Sequence, residues 1–226
     1  MNTELEAIIG DLAQFDSATI SNAIEPFKVR DRTEGYASME LKCQFPSLPP
    51  MVGFAITCTM DSTTPGRPHQ TAERHELFNS IESSPKPVVL VAKDVGSDHL
   101  RSCFFGDMFC AALKALGAIG VVTDGGVRDL SGTSRNAPGF HVFAPGTVAS
   151  HGNIVRFEFD VPVTVGGMEV RPGDILHGDE NGIVKVPLEI ASDVAEEAGR
   201  VRRRESEYFH YLSGQSVTRD GIEKLL

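Results

Sequence analysis

The segment from residue 87 to residue 129 restricts the possible folds of this chain more than any other part of it. The run PVVLVAKD is typical of a buried strand that ends near Asp94. Further along, the apolar, alanine-rich run from Asp107 to Leu116 predicts a helix, and the run AIGVVTD that follows predicts a second buried strand. A chain that alternates buried strands with a helix in this way predicts an α/β fold.

The flanking segments add strands and helices to this centre. From Asn153 onward apolar residues recur with period two, which predicts several hairpin-linked strands that form one antiparallel layer. The C-terminal stretch of about 188–212 has apolar residues at helical spacing and a heavily charged surface. We therefore expect a long amphipathic helix there that packs on a neighbouring subunit. Two short helices are expected near the N-terminus, the second of them capped by Ser17.

The composition limits both the architecture and the classes of function. A chain of 226 residues with 41% hydrophobic and 23% charged residues is ordinary for a globular protein, and it can form one sizeable core. Because no repeat or linker is visible, we expect a single compact domain over residues 1–226, built of layered mixed β-sheets and helices. No apolar run is long enough to cross a membrane, and the acidic N-terminus does not resemble a signal peptide, so we expect a cytoplasmic protein without a membrane partner.

The charge and the cysteines exclude two further classes. The formal net charge of -10 argues against a nucleic-acid partner, and the basic cluster from Arg200 to Arg204 is flanked by acids, as on a solvated helix face. The cysteines show neither a Cys-x-x-Cys pair nor a spacing typical of a zinc site, so we expect buried free thiols. They are Cys43, Cys58, Cys103 and Cys110.

The dipeptide Gly106-Asp107 stands where the central helix begins. The first amides of a helix have no partner within the helix, and the helix dipole adds partial positive charge there. The amides of Met108 and Phe109 could therefore hold a small carboxylate. The simpler explanation is that Asp107 serves only to start the helix, since aspartate is common at this position.

A second pair, Arg128-Asp129, follows the next strand and what we interpret as a tight Gly125-Gly126 turn. Polar residues just beyond a buried strand lie where sites are usually built in α/β folds. Arginine can bind a carboxylate or an enolate oxygen with its planar fork, and aspartate is a hard oxygen ligand for a divalent cation. The simpler explanation is a local turn in which Asp129 caps the next short helix.

The two pairs are joined by one helix and one strand, and this unit can return the chain to the mouth of its own helix. A helix N-terminus, an arginine and two carboxylates would then surround one small pocket. Such a pocket suits a 2-oxo acid whose carboxylate is held by amides and whose keto oxygen is chelated by a metal ion. A guanidinium and a cation can together stabilise the enolate that forms when a carbon–carbon bond breaks.

The spacing of these residues resembles a known family. Asp107, twenty intervening residues, then Arg128-Asp129 matches the D-x20-R-D signature of the RraA-like / HMG-CHA aldolase superfamily. The runs GFAIT, GAIGVVTDGGVRD and RPGDILHGDENGIVKVP are also similar to that family's strands, so the resemblance covers most of the chain from about Ser17 to Leu212. It implies the swivelling β/β/α fold of RraA-like proteins, with homotrimers or homohexamers that hold the sites between subunits.

The resemblance also implies an activity. The class II pyruvate aldolases of the family cleave 4-hydroxy-4-methyl-2-oxoglutarate or 4-carboxy-4-hydroxy-2-oxoadipate to pyruvate, and oxaloacetate decarboxylation is expected beside it. Asp129 would be the direct ligand of Mg2+ or Mn2+, Arg128 would bind the keto or enolate oxygen, and Asp107 would position a metal-bound water or assist it as a base. A glutamate from the last helix of the adjacent subunit would complete the site, with Glu205 the first candidate and Glu207 the second. The substrate would be bound by Gly106, Asp107, Met108, Phe109 and Arg128.

Alternatives remain open at this point. Many family members have an acid three residues after the Arg-Asp pair, whereas this chain has Gly132, which favours a different oxo or hydroxy acid if that acid orients the site. The family also includes regulators that inhibit ribonuclease E by protein contact, without catalysis, and tend to lack the leading aspartate. Lys93 could support a Schiff-base aldolase, and His69 could be an acid on a substrate loop, although nothing in the sequence marks out either residue.

Overall fold

A mixed sheet organises the fold, in a computed structural model that describes residues 3–66, 72–214 and 216–225. Its strand order is β1-β7-β5-β3-β2-β11-β12, and β8 pairs with β2 as well. The central pairs β2–β3, β3–β5 and β5–β7 are parallel, whereas the outer pairs are antiparallel. The strands are β1 (Lys42–Cys43), β2 (Met51–Asp61), β3 (Val88–Asp94), β4 (Cys103–Phe105), β5 (Ala118–Thr123), β6 (Gly126–Val127), β7 (His141–Ala144), β8 (Val155–Phe159), β9 (Val163–Val165), β10 (Met168–Val170), β11 (Ile175–Asp179) and β12 (Gly182–Val186).

Two groups of helices pack against this sheet. Apolar residues of α3 and α4 pack on one face of the central strands, while α1, α2 and α6 form a second cluster with β11 and β12. Within the described ranges, none of the helices has the length and apolar character that a bilayer crossing needs. The helices are α1 (Thr3–Leu12), α2 (Ser17–Ile24), α3 (Ala72–Ser83), α4 (Asp107–Ala115), α5 (Leu130–Asn136), α6 (Ala191–Leu212) and α7 (Arg219–Leu225).

The continuous apolar run 88–92 of β3 has a direct cause in this arrangement. Leu90 packs into the cluster formed with α3 and α4, whereas Val89 and Val91 pack into a third cluster on the opposite face, under the β9–β10 hairpin. A strand covered on both faces needs apolar residues at every position rather than at alternate ones. The α/β class and the layered mixed sheets expected from the sequence are confirmed.

Two local predictions were wrong. The strands after Asn153 do not form one antiparallel layer, because β8 pairs with β2, β11 and β12 extend the main sheet, and β9 and β10 form a separate hairpin. Period-two spacing shows which side chains are buried, but tertiary packing decides which strand is the partner. At α2 the cap is Asp16, whose Oδ1 accepts a hydrogen bond from the Thr19 amide at 2.9 Å, and Ser17 is the first helical residue.

The long C-terminal helix is present, although it begins later than the spacing indicated. A 3-10 turn, Leu188–Ile190, precedes α6, which begins at Ala191. Val194 and Ala198 of this helix pack against α2 and the strands β11 and β12, so its apolar face is used within the chain. Its packing on a neighbouring subunit stays a prediction.

The cysteine thiols are free, as expected. Cys58, Cys103 and Cys110 are buried, and Cys43 is partly exposed. Burial raises the pKa of Cys110 to about 12 and also raises the pKa of Cys103, against the opposing effect of Arg128. These thiols are therefore neutral near pH 7, which excludes a thiolate nucleophile at either position.

His141 on β7 is expected to make the stability of the fold depend on pH. Its side chain is 5% exposed, its ring lies nearly parallel to that of Phe143, and burial lowers its pKa from 6.5 to about 4. The unfolded chain therefore binds more protons than the folded chain between these two pH values. We expect the free energy of unfolding to be highest above pH 6.5 and to fall by roughly 3 kcal/mol through this group as the pH drops to 4.

Urea unfolding at pH 7.5 and pH 4.5 tests this prediction. The buried His177, whose pKa is also lowered by burial, acts in the same direction, so the contribution of His141 is measured by comparison with His141→Leu. The variant should lose less stability than the wild type between the two pH values. Equal losses in both proteins would show that His141 does not carry the effect.

Candidate active site

Two very short strands bring the halves of the candidate site together. β4 and β6 are parallel, with Cys103 opposite Gly126 and Phe105 opposite Val127, and they form a sheet of their own beside the main one. β4 leads through Gly106 into α4, and β6 leads through the next two residues into α5. Because the carboxyl ends of two parallel strands meet at one edge, the N-termini of both helices lie side by side.

The sequence indicated that Gly125 and Gly126, just before this edge, form a tight turn. The structure shows a different role for them. Neither Gly125 nor Gly126 has a positive backbone φ angle. A side chain at Gly126 would collide with the backbone oxygen of Ser102, and one at Gly125 would lie 2.6 Å from the Phe104 ring. The two glycines therefore allow the close approach of β4 and β6 rather than a left-handed turn.

The first turn of α4 and the residues after β6 line one pocket of about 290 Å3. This volume suits a small acid rather than a nucleotide or a polymer. The lining residues are Cys103, Phe104, Phe105, Gly106, Asp107, Met108, Phe109, Arg128, Asp129, His151 and Ile154. Except for the two glutamate candidates of the last helix, Glu205 and Glu207, every residue that the family resemblance assigned to the site therefore lies at this pocket.

Asp129 has a backbone conformation that side-chain-bearing residues rarely adopt. Its φ and ψ angles are 56° and 39°, in the left-handed region, which costs on the order of 1 kcal/mol for a residue other than glycine. It occupies the position before α5, yet its side chain makes no capping hydrogen bond. Instead, its Oδ2 lies 3.2 Å from Nε of Arg128, and half of the side chain is exposed. Capping therefore does not explain this carboxylate.

Arg128 lies between the other elements of the pocket. Its amide donates to the carbonyl oxygen of Phe105 at 2.9 Å, and its Nη1 donates to the carbonyl oxygen of Ala149 at 3.4 Å. A methyl group built on Gly106 would lie 3.3 Å from both Nε of Arg128 and Oδ2 of Asp129. The guanidinium and the carboxylate therefore lie directly beside the start of α4, where a larger residue than glycine would be tightly packed against both side chains.

Asp107 is held by both of the helices that meet here. Its Oδ1 accepts a hydrogen bond from the Met108 amide at 2.8 Å, and its Oδ2 accepts one from Nδ2 of Asn136 at 2.9 Å. Asn136 is the last residue of α5, so this helix fixes the direction of the carboxylate. The Met108 amide, expected to hold a substrate, is used by Asp107 here, and a bound carboxylate would have to replace that contact.

The absence of an acid at position 132 has a steric reason. A methyl group at this position on α5 would lie 2.6 Å from Oδ2 of Asp107 and 2.9 Å from its Cβ. The acid that the family resemblance leads us to expect at this position could not fit here unless Asp107 moved. In this chain Asn136, one helical turn further along, supplies the contact to Asp107 instead.

Other residues considered from the sequence lie elsewhere. Glu205 is exposed on α6, in a groove with Asn22 and Tyr208, and no residue of that groove lines the pocket described above. Lys93 forms an ion pair with Asp124 outside the pocket, which gives no support to a Schiff-base role. His69 lies outside the described residues. The contribution of Glu205 to the site of an adjacent subunit stays a prediction.

Sequence patterns provide no signal for three residues that contribute to the site. Asn136 is the last residue of α5, whose sequence, LSGTSRN, has no pattern that indicates a contact with Asp107. His151 and Ile154 belong to the irregular segment after β7, where a histidine among turn-forming residues is usually just exposed. Only the position of these residues in the fold brings them to the site.

Comparisons with known proteins identify a matching family model and several relatives of this chain. A family model described as RraA-like, Aldolase/RraA, matches residues 17–185. A protein of Halalkalibacterium halodurans, provisionally named as a 4-hydroxy-4-methyl-2-oxoglutarate aldolase, is 32% identical over 118 residues, which are 52% of this chain and 54% of that protein. A Pseudomonas syringae pv. tomato protein with the same provisional name is 35% identical over 107 residues, 47% of this chain and 64% of its own. The chain thus spans about half the length of the curated relatives it matches.

Solved structures share the fold. An uncharacterized protein from Pseudomonas syringae pv. tomato superposes with a TM-score of 0.73 at 22% identity, covering 97% of this chain and 92% of its own. RraAS2 of Streptomyces coelicolor, described as an unusual member of the RNase ES inhibitor RraA protein family, gives a TM-score of 0.65 at 24% identity, covering 90% and 95%. At these identities the likeness concerns the fold alone.

Proposed function

The chain belongs to the RraA-like (Aldolase/RraA) family, and from that premise we propose that it is a divalent-metal-dependent lyase that acts on a small 2-oxo acid. The proposed main reaction is cleavage of a 4-hydroxy-2-oxo acid, such as 4-hydroxy-4-methyl-2-oxoglutarate or 4-carboxy-4-hydroxy-2-oxoadipate, to give pyruvate. Decarboxylation of oxaloacetate is proposed as a second activity. The provisional aldolase names of relatives at about 30% identity support this class of reaction.

One observation carries the proposal. The side chains of Arg128 and Asp129 lie together beside Gly106, at the N-terminus of α4. The guanidinium and the helix terminus are both attractive to anions, whereas the carboxylate attracts cations. A molecule with a carboxylate, a neighbouring keto oxygen and a bound cation is therefore complementary to all three groups.

The residues present fit a magnesium or manganese ion. Asp129 provides a half-exposed carboxylate at the pocket that is not used to cap its helix. Among the described residues no group of three or more His, Cys, Asp or Glu side chains could form a complete metal cage. A small hard cation that keeps several waters, and binds through one carboxylate together with substrate oxygens, matches this donor set. When bound, such a cation would polarise the keto group.

The side chains at the pocket have separable roles in the proposed reaction. Arg128 would bind the keto oxygen and hold the negative charge that develops there as the C3–C4 bond breaks and its electron pair enters the enolate. Asp107, whose direction is set by Asn136, would take the proton of the 4-hydroxyl group through a water molecule. Both proposed reactions form the same pyruvate enolate, so one pocket would serve both.

Chelation provides the direct test. We expect the purified protein with MgCl2 to form pyruvate from oxaloacetate and from 4-hydroxy-4-methyl-2-oxoglutarate, and EDTA to abolish the formation of pyruvate from either substrate. Asp129→Ala should lower turnover by at least about 10²-fold at equal metal concentration, because the carboxylate that would bind the metal is lost. Pyruvate is measured with a coupled dehydrogenase assay. Absence of turnover with Mg2+ and Mn2+, together with binding and inhibition of ribonuclease E, would favour the regulatory alternative.

A further inference from the structure

The loop after β7 places a histidine at the pocket. The reaction proposed above gives this histidine no role. His151 lies on the pocket wall, together with Ile154 of the same loop. On the N-terminal side of this loop, the carbonyl oxygen of Ala149 accepts a hydrogen bond from Nη1 of Arg128 at 3.4 Å. The loop that carries His151 thereby contacts the guanidinium of Arg128.

The C-terminal side of the loop makes contacts as well. The amide of Asn153 donates to the carbonyl oxygen of Ser62 at 3.0 Å. Gly152 has a φ angle of +56° and packs so closely on Ser62 that any side chain would collide with that carbonyl oxygen. These contacts on both sides of His151 place it at the pocket.

The ring itself is oriented by one hydrogen bond. Nδ1 of His151 lies 2.7 Å from the carbonyl oxygen of Gly152. A carbonyl oxygen can only accept, so Nδ1 is the donor, and Nε2 is left as the nitrogen that can exchange a proton with a ligand.

The other ionisable groups of the pocket have different partners. Both oxygens of Asp107 accept hydrogen bonds, and Asp129 pairs with Arg128. Burial raises the pKa of Cys103, so its thiol holds its proton. A reaction that ends with protonation of an enolate carbon needs a donor at the pocket, and histidine is the side chain best suited to give and regain a proton near pH 7.

We infer that His151 is the catalytic acid that protonates C3 of the pyruvate enolate, an inference that rests on the proposed lyase function. The Nε2–H bond of the imidazolium breaks, and its proton goes to C3. The electron pair of the enolate carbon–carbon double bond becomes the new C3–H bond, while the charge on the enolate oxygen returns to form the keto group. The neutral imidazole then regains a proton from water.

The experiment separates this proton transfer from cleavage. Wild-type protein, His151→Ala and His151→Gln are incubated with pyruvate and MgCl2 in D2O, and the exchange of the methyl hydrogens is followed by NMR. We expect both variants to exchange about 10²-fold more slowly, and added imidazole to restore a large part of the rate in His151→Ala only. His75→Ala is the matched control, since His75 is exposed on α3 and should leave exchange unchanged.

The outcomes distinguish this inference from the proposed function. If wild-type protein cleaves its substrates and the His151 variants exchange pyruvate as fast as wild type, the inference is wrong and the lyase proposal stands. Slow exchange that imidazole does not restore, together with weaker pyruvate binding in a titration, would assign His151 a structural role and overturn the inference. If wild-type protein neither cleaves any substrate nor exchanges pyruvate, the proposed function fails, and the inference fails with it.

Discussion

Replacing Arg128 by alanine is expected to lower kcat/KM for oxaloacetate about 10³-fold, which corresponds to roughly 4 kcal/mol of lost transition-state stabilisation. The guanidinium lies beside the start of α4 and next to Asp129, where the enolate charge would develop. Its removal takes away the positive charge and the planar fork together. Arg128→Lys keeps the charge without the fork, so we expect an intermediate loss of about 10²-fold.

The fold should tolerate these substitutions. The backbone of Arg128 keeps its hydrogen bond to Phe105, and the side chain is about one third exposed. Thermal unfolding should therefore change little, so that lost activity is not lost structure. Arg171→Ala is the control, because this exposed arginine pairs with Glu169 on the β9–β10 hairpin, and surface pairs contribute little to stability. Wild-type kinetics in Arg128→Ala would contradict the assignment of the site.

The largest effect on stability is expected from Asp179→Ala. This carboxylate is 6% exposed and joins the β11–β12 turn to the first turn of α2. It accepts hydrogen bonds from the Ser17 amide at 2.7 Å, from the Ser17 hydroxyl at 2.6 Å and from the Asn181 amide at 2.8 Å. Alanine would leave the donors of Ser17 buried without their acceptor, which costs about 3–5 kcal/mol for hydrogen bonds to a charged group. The melting temperature should fall by roughly 10 °C.

Calorimetry and urea unfolding measure this effect. Asp179→Asn keeps one acceptor oxygen and should lie between wild type and Asp179→Ala. Asp11→Ala replaces an exposed aspartate on α1 and should change the free energy of unfolding by no more than about 0.5 kcal/mol. A loss below about 1 kcal/mol in Asp179→Ala would show that water replaces the carboxylate at the start of α2.

The sequence was sufficient for the parts of the fold that have a strong periodic pattern. The strands β3 and β5 and the helices α4 and α6 were predicted within a few residues of their bounds, because burial on one or two faces imposes a spacing that can be read directly. The residues Asp107, Arg128 and Asp129 were placed at one site by their spacing and by their resemblance to a family. The structure brings these residues to one pocket, and their catalytic roles stay predictions.

The sequence was insufficient where a contact joins distant, patternless segments. β4 and β6 have three and two residues, too few to show any period, yet their pairing is what brings Arg128 to Gly106. The hydrogen bond from Asn136 to Asp107 and the position of His151 depend on the same packing. Ser17 and Asp179 are 162 residues apart, and neither residue type indicates a specific partner.

The separate two-stranded sheet of β4 and β6 has a consequence for how the pocket moves. α4 continues from β4, and Arg128 and Asp129 continue from β6. Because the two strands are paired, we expect a displacement of one strand to move the other with it. We therefore expect the distance between the helix terminus and the guanidinium to be preserved. The dipole of the helix terminus and the charge of the guanidinium are therefore preorganised, and little reorientation has to accompany the binding of an anionic ligand.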